Sequence, residues 1–94
     1  MIKRIVKLTF REDSVPDFLD IFTNSKARIR NFPGCYHLEL WQDTQHPNTF
    51  FTYSFWKDEA ALNEYRHSEL FRATWKQTKV LFAEQAQAWS VQKM

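Results

Sequence analysis

The feature that most constrains the fold is the run TFFTYSFW, in which aromatic side chains occupy both odd and even positions. Successive side chains of an extended strand point to opposite faces of the sheet. Phe51, Tyr53 and Phe55 therefore lie on one face of the predicted strand, and Phe50 and Trp56 lie on the other. A strand of this kind needs an apolar partner on each side of its sheet.

Hydrophobic periodicity divides the rest of the chain into short elements that follow one another without a linker. Residues 2–10 alternate and predict a strand, and Ser14 is expected to cap a helix that runs to about residue 31. Pro33 and Gly34 then end that helix. The remaining predicted elements are strands at 35–42, 49–56 and 87–92, a hairpin loop at 43–48, and helices that begin at Asp58 and Ser68, the second reaching about Leu81.

This order of strands and helices is the split βαβ pattern of ferredoxin-like α+β domains. In such a domain one four-stranded antiparallel sheet carries its helices on a single face. The second aromatic face of strand 49–56 then needs another cover, and the simplest is the same face of a second copy, so we expect a homodimer. A chain of 94 residues corresponds to one domain, 1–94, with a thin core of its own.

Composition excludes several other classes of protein. The formal net charge of +2 is too small for a phosphate-binding surface, so no nucleic-acid partner is expected. RNA-recognition domains share this topology and an aromatic third strand, but residues 49–56 contain no Gly and no basic cluster flanks them. The charged N-terminus does not resemble a signal peptide, and no uncharged run is long and apolar enough to span a membrane. We therefore expect a cytoplasmic protein with no membrane contact.

Short motifs are spread along nearly the whole chain. They are PGC at 33–35, LEL at 38–40, FW at 55–56, EAAL at 59–62 followed by Tyr65, Ser68 and Phe71, and LFAE at 81–84. Together they resemble the antibiotic biosynthesis monooxygenase family of dimeric α+β barrel proteins. The resemblance implies a homodimer whose two sheets face each other, with a pocket in each subunit between the sheet and its helices.

The family includes proteins that oxidise small aromatic or quinol compounds without a cofactor, proteins that degrade haem, and members without a known activity. The haem-degrading branch has Asn, Trp and His where this chain has Val6, Tyr65 and Trp75, and an indole cannot ligate iron. The quinol-oxidising pattern has His at the position of Tyr65 and often Glu at that of Ser54, so this chain departs from both patterns.

The resemblance implies a monooxygenase that oxidises a small phenolic or quinol-like compound with molecular oxygen and uses no metal or flavin. The alternative is a non-catalytic dimeric protein that binds a small ligand with the same fold.

Tyr65 is the main candidate for a catalytic residue, because a phenol beside an apolar wall needs a partner that a ligand oxygen could supply. It could equally be a core aromatic residue. Phe71 and Trp75 lie on one helical stripe and would stack on a flat substrate, although such stripes also form ordinary cores. Val6 and Ser54 complete the predicted substrate-binding set.

The three histidines are expected to differ in role. His46 lies in the hairpin loop and His67 faces away from Tyr65, so both are predicted to be solvated. His37 alternates with Cys35 and Glu39 on one predicted strand face and is the weaker catalytic candidate, as a general base. A hydrogen-bonded or interfacial role is the alternative. No metal site is expected, because side chains two positions apart on a strand diverge by about 7 Å and no second ligand cluster follows.

Overall fold

The computed structural model describes all 94 residues and contains the predicted order of elements. The strands and helices are β1 (Ile2–Thr9), α1 (Val15–Arg30), β2 (Cys35–Gln42), β3 (Thr49–Trp56), α2 (Glu59–Arg66), α3 (Glu69–Lys79) and β4 (Gln87–Val91). The strands form one sheet in the order β2-β3-β1-β4, in which every neighbouring pair is antiparallel. The chain therefore has the predicted four-stranded, ferredoxin-like α+β fold.

Side-chain caps fix the start of two of the three helices. The carboxylate of Asp58 accepts a hydrogen bond from the backbone N–H of Ala61 at 2.9 Å, and the hydroxyl of Ser68 accepts one from Phe71 at 3.1 Å. Both caps were predicted. The predicted Ser14 cap is wrong: a short 3-10 turn at Glu12–Ser14 leads into α1, and its helical backbone leaves the Ser14 hydroxyl without a bond to the first turn.

The helices cover the sheet face formed by even-numbered residues of β1 and β3. A cluster of Leu8, Phe10, Phe18 and Phe50 is buried there, and the rings of Phe10 and Phe18 stack at 4.2 Å. A second cluster lies towards the other end of the sheet and consists of Cys35, Trp56 and Leu62. The two clusters join α1 and α2 to the sheet, and the space between them is where a cavity forms.

The opposite face of the sheet carries no helix, and we call it the open face. Its large apolar side chains are Ile5, Trp41, Phe51, Tyr53, Phe55 and Trp89, which the strand register places on one side. Trp41 stacks on Tyr53 at 4.5 Å. Trp41 and Trp89 nevertheless remain 40% and 45% exposed. The two aromatic faces predicted for residues 49–56 are therefore both present.

A β-bulge in β2 corrects the predicted alternation of Cys35, His37 and Glu39. Cys35 pairs with Trp56 and His37 pairs with Phe55, so the register shifts between them. The extra residue turns Cys35 into the core, while His37 and Glu39 lie on the open face. Cys35 is buried, as expected for a small apolar residue.

Gly34, the one glycine of the chain, allows the chain to reverse between α1 and β2. Its φ angle is 87°, and a Cβ added there would lie 2.5 Å from the Cβ of Ala61. We predict that Gly34→Ala lowers the free energy of unfolding by at least about 2 kcal/mol, from backbone strain and overpacking together. Denaturant unfolding monitored by circular dichroism measures this.

The matched variant is Gly34→Ala in a chain that also carries Ala61→Gly. Removal of the Ala61 methyl group relieves the clash but not the strain at φ 87°. The cost of Gly34→Ala should therefore be smaller in that background, and an equal cost would show that the close approach to α2 is not real.

Candidate active site

A cavity of about 390 Å³ lies between the sheet and the helices, within the range of sites that bind small molecules. Five of the six predicted site residues line it. They are Val6 on β1, Ser54 on β3, Tyr65 on α2, and Phe71 and Trp75 on α3. The strand alternation directs Val6 and Ser54 to the helix side, and the caps at Asp58 and Ser68 fix where α2 and α3 begin.

Aromatic rings form a continuous wall along the cavity. The ring of Tyr65 stacks on the indole of Trp56 at 4.8 Å and meets the ring of Phe71 edge-on at 5.2 Å. Phe71 in turn stacks on Trp75 at 5.8 Å, with their planes 11° apart. Trp75 also packs against Phe82 and the main core cluster. The wall is aromatic and apolar, so it favours a ligand that carries an aromatic ring.

Tyr65 carries the hydroxyl group of this wall. This hydroxyl takes part in none of the side-chain hydrogen bonds of the chain and is not sealed off by the protein, while the Tyr65 ring is held by Phe32, Trp56 and Phe71. Burial raises the pKa of Tyr65 well above its ordinary value, with a smaller contribution from Cys35. Near neutral pH the phenol is therefore uncharged, so it can donate a hydrogen bond to a ligand but cannot serve as a base.

Ser54 contributes a second hydroxyl from the floor of the cavity. It is buried, and its oxygen accepts a hydrogen bond from the indole N–H of Trp56 at 2.9 Å. Since that bond uses the oxygen as an acceptor, the hydroxyl proton remains available to a ligand. Ser54 thus accepts a hydrogen bond from Trp56 and can still donate one to a ligand in the cavity.

Sequence reasoning missed the charged part of the cavity lining. Arg4 on β1 and Arg66 on α2 both line it, whereas no Asp, Glu, His, Lys or Cys side chain does. Arg4 interrupts the apolar alternation of β1, and that interruption was the available signal. Burial lowers the pKa of the Arg4 guanidinium, and the charge of Arg66 lowers it further, while Glu59 acts in the opposite direction.

The structure does not bring His37 to the cavity. His37 lies on the open face, where its ring packs against Phe55 at 4.8 Å and its Nε2 atom pairs with the Glu39 carboxylate. The indole of Trp41 donates to the same carboxylate at 2.7 Å. His37 and Tyr65 are therefore on opposite sides of the sheet, and His37 cannot act as the base for a ligand beside Tyr65 of the same chain.

The other two histidines are exposed, as predicted. No group of three or more His, Cys, Asp or Glu side chains is arranged to hold a metal ion. None of the helices combines the length and the apolar character that crossing a membrane requires.

Comparison with known proteins identifies the family of this chain. A family model for antibiotic biosynthesis monooxygenases matches residues 1–77, which include Tyr65, Phe71 and Trp75 of the cavity wall. The chain therefore belongs to the antibiotic biosynthesis monooxygenase family. No curated protein matches it.

Solved structures show the same fold at low sequence identity. A crystal structure of an antibiotic biosynthesis monooxygenase is similar with a TM-score of 0.94 and 19% identity, covering 100% of this chain and 99% of the other. A conserved protein from Methanosarcina mazei Go1 has a TM-score of 0.94 and 17% identity, and the match covers 99% of this chain and 92% of the other. A protein from Mycobacterium tuberculosis has a TM-score of 0.91 and 15% identity, and the match covers 99% of this chain and 94% of the other.

The Ser54 and Trp56 pair generates a prediction about stability. Ser54→Ala leaves the buried indole N–H of Trp56 without its acceptor and should lower the free energy of unfolding by about 1–3 kcal/mol. Ser90→Ala removes an exposed hydroxyl that accepts from Arg4, and it should cost less than about 0.5 kcal/mol. Thermal and denaturant unfolding compare the two. If the two substitutions lowered the free energy of unfolding equally, the hydrogen bond from Trp56 to Ser54 would not contribute to stability as we expect.

Proposed function

We propose that this protein is a monooxygenase that oxidises a small phenolic or quinol-like compound with molecular oxygen, without a metal or flavin. The observation that carries the proposal is the free hydroxyl of Tyr65 in an aromatic cavity of a chain that belongs to a monooxygenase family. A planar ring fits against Phe71 and Trp75, and its oxygen substituent meets the Tyr65 hydroxyl.

Once the substrate is ionised, the reaction requires little acid or base catalysis from the protein. An ionised phenol is electron-rich and reduces oxygen directly, so that one oxygen atom enters the ring to give a quinone and the other leaves as water. The cavity holds the ring in a dry, oriented position, and Tyr65 and Ser54 donate hydrogen bonds to the substrate oxygens. His37 has no part in this scheme because it lies on the other side of the sheet.

Oxygen consumption tests the proposal directly. The purified, metal-free protein should consume oxygen with small dihydroxy aromatic compounds faster than buffer does. Tyr65→Phe keeps the ring and removes the hydroxyl, so the rate should fall about tenfold or more if that hydrogen bond contributes ~1.5–3 kcal/mol to the transition state. An oxygen electrode measures both rates.

Tyr36→Phe is the matched control, because Tyr36 lies on the exposed bulge of β2 and outside the cavity. It removes the same atom and should leave the rate unchanged. Equal rates for the wild-type chain and the Tyr65→Phe variant would remove Tyr65 from the reaction. No oxygen uptake with any compound of the series would contradict the monooxygenase proposal.

The second candidate is a non-catalytic protein that binds a small ligand. It is favoured by one observation: no side chain of the cavity can serve as a general base near neutral pH. Tight binding of dihydroxy aromatics with no oxygen uptake would select this function over the first.

We further propose that a second copy of the chain covers the open face. Six large apolar side chains lie together there without a helix above them, and two of the indoles are about half exposed. A contiguous apolar patch on a small domain is typical of an association site. A twofold dimer places identical faces against each other and buries both patches at once.

Light scattering at micromolar concentration should therefore give about twice the chain mass of 11.4 kDa. Trp89→Glu places a charge on the open face and should reduce the mass to that of a single chain while circular dichroism remains native. Val80→Glu is the control, since Val80 is 63% exposed at the end of α3 and outside the open face. A single-chain mass for the wild-type protein would contradict the dimer.

A further inference from the structure

A polar row crosses the floor of the cavity, whose lining is mostly apolar. Arg4 on β1 pairs with Ser54 on β3 and with Ser90 on β4, so the three side chains share the helix side of the sheet. The next row towards the core contains Thr52, Val6 and Ala88, and is mostly apolar. A cation is thus placed beside a hydroxyl that has a free proton, at one end of an aromatic cavity.

The guanidinium of Arg4 is not neutralised by the protein. It donates one hydrogen bond, to the hydroxyl of Ser90 at 2.9 Å, and it forms no salt bridge. Arg carries several further N–H donors in a rigid fork, and these remain free. Ser90 holds the side chain in place without consuming its charge.

A second cation reinforces the first. Arg66 follows Tyr65 on α2, lines the same cavity and forms no salt bridge. Glu59 is the acidic residue close enough to influence Arg4, but its effect is smaller than that of Arg66. Two arginines with no carboxylate in the cavity lining give this end of the cavity a positive field.

The absence of a base in the cavity, taken together with the proposed reaction, also favours an anionic ligand. A phenolic substrate must lose a proton before it can reduce oxygen, and no cavity side chain can take that proton near neutral pH. A substrate whose ring hydroxyl is already ionised when it binds removes this requirement.

We propose that the cavity selects small aromatic compounds that carry an anionic oxygen group on the ring, a phenolate or a carboxylate, and that Arg4 is the residue that binds this group. The inference rests on the proposed function in that it names the ligand class of the same cavity. Arg4 contacts the anion through its free N–H donors, the Ser54 hydroxyl donates to it, and Arg66 adds to the field.

Calorimetric titration with a matched ligand pair tests the inference. Naphthoate and naphthylmethanol share the ring system, but only naphthoate is charged at neutral pH. A charge-assisted hydrogen bond favours naphthoate over naphthylmethanol by about tenfold or more in dissociation constant. Arg4→Gln should reduce this preference to below about threefold and leave the binding of naphthylmethanol unchanged. The unchanged alcohol binding shows that the cavity of the variant is folded.

Arg72→Gln is the matched control. It removes the same charge from an exposed position on α3 that does not line the cavity, so the preference for naphthoate should remain. Arg66→Gln should reduce the preference less than Arg4→Gln does, and its effect should weaken as salt is added, because Arg66 is exposed.

Equal affinity for the two ligands, retention of the preference in Arg4→Gln, or binding of neither ligand would each overturn the inference. The titration involves no oxygen chemistry, so its outcome is separate from that of the proposed reaction. A preference that depends on Arg4 in a protein that consumes no oxygen would sustain the ligand class and contradict the monooxygenase. Oxygen uptake by a protein with no preference for naphthoate would support the monooxygenase and contradict the ligand class.

Discussion

The packing of Trp56 is the interaction on which the rest of the structure depends. Its indole is 1% exposed, its N–H donates to the Ser54 hydroxyl, and its face stacks on Tyr65. The end of β3 is thereby joined to α2, and Tyr65 is held with its hydroxyl free. The adjacent cluster with Cys35 and Leu62 fixes the close approach of α2 to the turn at Gly34.

Much of the fold follows from local features of the sequence. The alternation in β3, the caps at Asp58 and Ser68, and the stripe of Phe71 and Trp75 each depend on neighbours a few residues away, and each was predicted. The β-bulge in β2 depends on how that strand pairs with the end of β3, which periodicity does not reveal. For the same reason the sequence placed His37 in line with Cys35, and the structure separates them.

The charged end of the cavity escaped prediction for a related reason. The side-chain partner of Arg4 is Ser90, 86 residues away along the chain. In the sequence, Arg4 only interrupts an apolar pattern. Its position beside Ser54 and Ser90 is evident only when β3, β1 and β4 are paired in the sheet. The family membership accounts for the fold. The cavity lining of this chain contains two arginines and no side chain that can serve as a general base, and under our proposal the substrate therefore binds already ionised.

The central claim is that the aromatic ligand binds on the helix side of the sheet and that the open face serves another purpose. The four indoles report on this directly, because Trp56 and Trp75 line the cavity while Trp41 and Trp89 lie on the open face. Their N–H signals can be resolved and assigned by NMR with single Trp→Phe variants. Titration with naphthoate should shift the signals of Trp56 and Trp75 and leave those of Trp41 and Trp89 in place. Shifts of Trp41 and Trp89, with Trp75 unchanged, would contradict the account.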